Sequence, residues 1–286
     1  MSGQTAQTGL LSPVPWQLKA AGLLCGLMVL IALAATYLPP GIDWHQAFYP
    51  ASRAVLHGDS PYEAASEFNL PSWSLMPLLP AAVFPEAIGR GALFVAALAV
   101  LAGTAYRFGA SPVALGLFLV SPPVLALLLT AQVDWLVLSG LVVPLPIGAL
   151  ALAIKPQIGA LVLVWCGIEL ARRREWHGLA VSFAPLALAC AVQLALFGLT
   201  PLRAARNIGY SWNMSLWPYS IPFGLAAFAL SITRRNGRWA MIAAPLLTPY
   251  VLLHSYSIAL LAIVDKPRAL CVAVAGLWLL VLLPLL

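Results

Sequence analysis

A few ionisable side chains stand out in a chain that otherwise avoids charge. Asp43 follows Pro39, Pro40, Gly41 and Ile42, just past the first long apolar run, and His45 stands two residues on. Lys155 interrupts two apolar runs in LAIKPQI, and His254 lies in LLTPYVLLHSYS. Arg203 and Arg206 share the segment TPLRAARNIGYSWNMS. Each type suggests its own chemistry. A carboxylate in partly desolvated surroundings has a raised pKa, which suits it to take a proton as a general base. A histidine beside it can position or polarise a reacting group, while guanidinium and ammonium groups hold phosphate. Each also has a plainer role. Asp43 can cap a helix starting near Trp44, and His45 and His254 can be hydrogen-bonded structural residues. Lys155 can snorkel to an interface, or else face a cavity and pair there. Arg203 and Arg206 can rest on lipid headgroups.

The elements that must position these residues are set by composition. Of 286 residues, 62% are hydrophobic and 8% charged, where a soluble domain carries about 25% charged residues. The chain therefore reads as a polytopic membrane protein. Its apolar runs are long rather than alternating, which selects helices over a barrel. The net charge of +6 reads as the positive-inside bias, not as a nucleic-acid surface: the basic clusters ARRRE (171–175) and TRRNGR (233–238) are short and sit between apolar runs. Cys25, Cys166, Cys190 and Cys271 all lie inside apolar segments without metal-ligand spacing, so small core residues are expected there.

The fold expected is all-α, a single membrane domain over 1–286 built as a transmembrane bundle of about ten to twelve segments. Helices are placed near 18–38, 71–85, 88–106, 112–131, 135–154, 157–171, 178–198, 218–232, 239–252, 256–264 and 268–285. The first reads as a retained anchor, because it is longer than a secretory apolar core and lacks a small-residue cleavage site. Several are short or interrupted by proline, including Pro77, Pro80, Pro122, Pro123, Pro144, Pro146, Pro245 and Pro249. Broken helices at membrane depth are tolerated only against protein or a water-filled cavity, so a cavity inside the bundle is expected. With both basic clusters cytoplasmic, loop 39–70, loop 199–217 and His254 fall on the outer side of the cell membrane.

The ordered segments DWHQAFYPASRAVLHGDSPYE, LPSWSLMPLLPAAVFP, SPPVLALLLTAQVDWLVLSGL, ALAIKPQIGALVLVW and LLTPYVLLHSYSIALL together resemble the bacterial polyprenol-phosphate-mannose-dependent α-mannosyltransferases, multispanning members of the glycosyltransferase C-superfamily. The resemblance covers roughly residues 18–264. It implies an inverting transfer on the outer face of the membrane, from a sugar carried on a polyprenyl monophosphate to a lipid or glycan acceptor. By that resemblance the base falls on Asp43, the late histidine on His254, and the mid-chain lysine before proline on Lys155. The GD.PY signature falls on Gly58, Asp59, Pro61 and Tyr62 as a structural turn. The usual glycine before the central helix is Ala131 here. The candidate site is therefore Asp43, His254 and His45 for catalysis, with Lys155, Arg203 and Arg206 for the donor phosphate, in loop 39–70 and the segments facing it. A lipid monophosphate leaving group calls for preplaced cations but demands neither metal nor cofactor, so no divalent ion is expected. Partners are membrane lipids, the carrier-linked sugar and the acceptor, with no nucleic acid. Two rival readings are a lipid or sugar transporter, which the lack of internal repeats disfavours, and a non-catalytic membrane subunit of the same fold.

Overall fold

The computed structural model describes residues 16–283, apart from the side chains of 17, 18, 206 and 207. Every regular element among them is helical. Helix α1 (Trp16–Tyr37) is followed by a π-helical turn (Trp44–Phe48), α2 (Tyr49–His57), α3 (Pro61–Ala64) and α4 (Leu79–Ala82). Next come α5 (Glu86–Arg107), α6 (Pro112–Leu119), α7 (Pro122–Thr130), α8 (Asp134–Ser139) and α9 (Leu145–Leu152). The rest are α10 (Pro156–Arg172), α11 (Trp176–Phe197), α12 (Ile221–Thr233), α13 (Arg238–Leu246), α14 (Ser257–Ala262) and α15 (Pro267–Leu282). Short 3₁₀ turns cover Ser72–Leu75, Thr200–Gly209 and Leu253–Tyr256. By length and composition α1 from Lys19, α5 and α11 can cross a membrane, and α6 with α7 makes a fourth span if the bent pair is counted as one. Most of α1 and α11 is exposed apolar surface, as expected of helices solvated by lipid.

Several expected helices are broken, and proline is the reason. The segment 112–131 is two helices that meet at 55°. The chain stops helical pairing at Ser121 and restarts with Pro122 at the first position of α7, where proline's missing N–H costs nothing. The segment 135–154 divides into α8 and α9 at Pro144, whose backbone is extended. The expected helix 71–85 is only the 3₁₀ turn at Ser72–Leu75 and the single turn of α4, because four prolines, Pro71, Pro77, Pro80 and Pro85, remove the donors a longer helix needs. Conversely, the expected loop 39–70 is largely helical and packed. Its Trp44, Phe48, Tyr62 and Phe68 are buried in the core, and Trp44 donates its indole N–H to the Glu86 carbonyl at 3.0 Å. The GD.PY signature is the turn expected of it: Gly58 takes the left-handed conformation that ends α2, Pro61 opens α3, and the Tyr62 hydroxyl donates to the Leu70 carbonyl. The cysteines need a correction. Cys25, Cys190 and Cys271 are exposed on outward helix faces rather than in the core, while Cys166 is half-buried and packs against the core.

The helices hold the polar groups at two separate ends. At one, Glu169 accepts from Arg172 at 3.3 Å and from Arg235 at 2.8 Å. There Arg238 pairs with Asp265 and donates to the Phe108 carbonyl at 2.8 Å. This joins the ends of α5, α10, α12 and α13 to the start of α15. Lys155 stands at the other end of α10, whose 17 residues span about 25 Å at 1.5 Å per residue. The basic clusters and the buried polar centre are thus separated by close to a membrane's apolar thickness.

Candidate functional site

Four short backbone features aim side chains at one point. The first is the turn before Asp43. Gly41 has φ +76°, and a Cβ there would stand 2.7 Å from the Arg90 Nε and 2.9 Å from the Ala131 Cβ. Only glycine fits both the conformation and the space. The chain then enters a helix that widens to π geometry at Trp44–Phe48, a form concentrated at functional sites. Asp43 precedes that turn in helical conformation and makes no side-chain cap. The capping role is therefore excluded, and the carboxylate is free for another partner.

The second feature is the end of α7. Ala131 caps it at φ 62°, ψ 39°, the left-handed region that glycine occupies at no cost. The position keeps the geometry a glycine would give, and it turns Gln132 inward, where it is buried. Buried Arg90 steadies this corner by donating to the Leu128 and Leu129 carbonyls at 2.5 and 3.2 Å. The third is Lys155. As the residue before proline it is driven into an extended conformation, so α9 ends and α10 begins around it. Gly159 lets the two helices close on each other, since a Cβ there would lie 2.0 Å from the Leu152 carbonyl oxygen. The Lys155 side chain is left pointing into the protein, only 4% exposed. The fourth is the 3₁₀ turn at Leu253–Tyr256, which packs on α7. Asn213 ties the approach to it, donating to the Pro249 carbonyl at 2.9 Å and accepting from the Val251 N–H at 3.1 Å.

At the convergence lies Asp134, fully buried at the start of α8. One of its oxygens, Oδ1, pairs with the Lys155 ammonium. The other, Oδ2, lies 2.6 Å from the His254 Nδ1, with the Ser255 hydroxyl 3.5 Å away. Lys155 also donates to the Gln132 Oε1. Asp43 faces the same group. Lys155, His254, Gln132 and Thr130 all act electrostatically on its carboxylate. Gln132 thus accepts a hydrogen bond from Lys155 and also acts on Asp43.

The two carboxylates are driven apart. Burial pushes Asp43 above the ordinary aspartate value, and the nearby Lys155, His254, Gln132 and Thr130 only partly offset it. Burial pushes Asp134 up as well, but His254 and Lys155 outweigh it and hold Asp134 well below the usual range. Two acids with opposed shifts mark out an acid–base pair of roles. Asp134 is held toward its anionic form, with Lys155 at one oxygen and His254 at the other. Asp43 is half-buried and able to accept a proton. The His254 Nε2 is buried with no hydrogen-bond partner among the described residues.

Comparison with protein-family models, curated proteins and solved structures finds no match.

Of the residues singled out from sequence, Asp43, Lys155 and His254 come together. His45 does not. Its side chain is 60% exposed and pairs with Glu86 at 2.7 Å, because the turn that buries Trp44 sends the next residue outward. Arg203 is exposed on the 3₁₀ segment Thr200–Gly209 and makes no ion pair with the cluster among the described residues. The side chain of Arg206 lies outside the described residues. Sequence reasoning missed Asp134, Gln132 and Ser255. Asp134 carried a usable signal: a lone carboxylate between apolar runs is as costly as Lys155 and needs a partner for the same reason.

Proposed function

We propose that the chain is a multi-pass membrane glycosyltransferase that moves a sugar, mannose by resemblance, from a polyprenyl-phosphate carrier to a lipid or glycan hydroxyl at the outer face. The observation that carries this reading is the convergence of Asp43, Lys155 and His254 from three distant parts of the chain. They form a site with a proton acceptor beside an ammonium and an imidazole. The acceptor oxygen attacks the anomeric carbon, its proton passes to Asp43, and the bond from that carbon to the phosphate oxygen breaks on the opposite face. The configuration is inverted, and polyprenyl phosphate leaves with the bonding electrons. Its growing charge is met by the Lys155 ammonium, which is already in place and needs no rearrangement during the reaction, while the His254 Nε2 positions the incoming sugar by accepting from one of its other hydroxyls. The basic ends of α10, α12 and α13 face the cytoplasm, following the positive-inside bias, and this puts the site near the outer leaflet.

The test is transfer in proteoliposomes from a polyprenyl-phosphate sugar, followed by mass spectrometry of the product. Asp43→Asn should lower turnover by at least about 10²-fold, the usual contribution of a positioned base, with the protein still folded. Undiminished turnover in that variant removes Asp43 from the mechanism. Movement of lipid or sugar without transfer favours a transporter.

A further inference from the structure

Asp134 has the Lys155 ammonium in ion-pair contact with one oxygen and the His254 ring hydrogen-bonded to the other, which constrains the state of that ring. An ionised carboxylate only accepts hydrogen bonds. At 2.6 Å from Oδ2, Nδ1 must therefore carry its proton. The remaining nitrogen, Nε2, is then the one whose state can vary, and it is the buried nitrogen that has no partner. Asp134 cannot itself take a proton from a substrate, because it is fully buried and both its oxygens are engaged.

We infer that Asp134 is the positioning residue of this site: it fixes the His254 tautomer so that Nε2 is presented as an acceptor to a hydroxyl of the incoming sugar, and it holds the Lys155 ammonium in place for the leaving phosphate. The inference rests on the reading of the site as a glycosyltransferase centre, but its first half concerns the ring alone. The ionisable groups around His254 are Asp134 from α8, Lys155 from the start of α10 and Asp43 from the turn before α2. The Ser255 hydroxyl lies 3.4 Å from Nδ1 and is too distant and too neutral to replace the carboxylate.

Asn at position 134 has nearly the same shape but a single acceptor oxygen for two donors. If that oxygen turns to Lys155, the amide N–H₂ faces Nδ1. The imidazole must then move its proton to Nε2, the wrong tautomer for the task. An equivalent aspartate-to-asparagine change in a serine-protease triad lowers turnover by about 10⁴-fold.

The experiment reads the ring nitrogens of His254 by ¹⁵N NMR in detergent, with signals identified by their loss in His254→Gln, alongside transfer in proteoliposomes. In the native protein the proton should reside on Nδ1 when the ring is neutral. In Asp134→Asn it should shift to Nε2, and transfer should fall by about 10²- to 10⁴-fold. In Asp134→Asn/Lys155→Met the lone oxygen is released to His254. The Nδ1 proton should return while transfer stays low for want of the cation. Nδ1 protonation and transfer both unchanged in Asp134→Asn overturn the inference. So does a proton that remains on Nε2 in the double variant, which is decisive on its own if the single variant fails to fold. A native protein that transfers no sugar, yet shows this pattern of ring states, refutes the glycosyltransferase reading and leaves the role of Asp134 in fixing the tautomer intact.

Discussion

Replacing Lys155 with Met keeps the length and apolar stem of the side chain and removes only its charge and its donors. Asp134, with no exposed surface, then loses the ammonium paired with one of its oxygens, and Gln132 loses the hydrogen bond it accepts. Breaking a buried pair from one side costs about 3–5 kcal/mol, because the surviving charge stays desolvated. His254 still faces the other oxygen of Asp134, which argues for the lower end, about 3 kcal/mol. For a chain of this size each kcal/mol moves the unfolding midpoint by about 2–3 °C, so a drop of about 6–9 °C is expected. Asp134→Leu should cost at least as much, since it strands Lys155. The double variant removes both charges and leaves two neutral groups unpaired, the His254 Nδ1 and the Gln132 Oε1, each costing less than a stranded buried charge. It should thus be more stable than either single variant, and the coupling between positions 134 and 155 should be several kcal/mol. Tryptophan fluorescence of the protein in detergent, heated at one pH and one scan rate, supplies the three midpoints. A Lys155→Met midpoint within about 1 °C of the native value, or single effects that simply add in the double variant, would show that no buried pair exists and would refute the reasoning.

Two further outcomes follow from the site. Because burial raises Asp43 and only the ionised form can take a proton, transfer should rise with pH along an acidic limb centred above 3.8, the ordinary aspartate value. By the same linkage the stability contribution of this group is greatest with the carboxyl protonated and falls as pH rises through the interval between the ordinary and raised values; a limb at or below 3.8 contradicts it. His45→Ala should change transfer less than about threefold and stability by less than about 1 kcal/mol, since its pair with Glu86 is largely exposed; a loss of transfer comparable to Asp43→Asn would return His45 to the site.

What the sequence could reveal was governed by cost. A lysine amid apolar residues, a carboxylate after a double proline and a late histidine each carry a penalty unless they are used, and all three meet in the folded chain. Asp134 carries the same penalty, but in AQVDW attention falls on the alanine at the glycine position, and that alanine takes the left-handed backbone regardless. The long apolar helices α1, α5, α10 and α11 could be read from hydropathy with small errors at their ends. The breaks at Ser121 and Pro144 could be read from Pro122, Pro123, Pro144 and Pro146, but the 55° bend at the first could not, because the residues on both sides are equally apolar and only the direction of the chain changes. The packed helical character of 39–70 was hidden for the opposite reason: its charged and proline residues suggest a loop, whereas the aromatic groups Trp44, Phe48, Tyr62 and Phe68 decide where it sits. His45 illustrates the limit of proximity along the chain. Two residues from Asp43, it lies on another side of the turn.

Helix α10 carries Lys155 at one tip and Glu169 near the other, and both tips are pinned. Such a rod resists rocking, because any tilt that relaxes one anchorage strains the second. The ammonium is consequently located from both ends of the helix at once, and the arginine clasp far from the buried carboxylate belongs to the mounting that keeps the polar cluster in register.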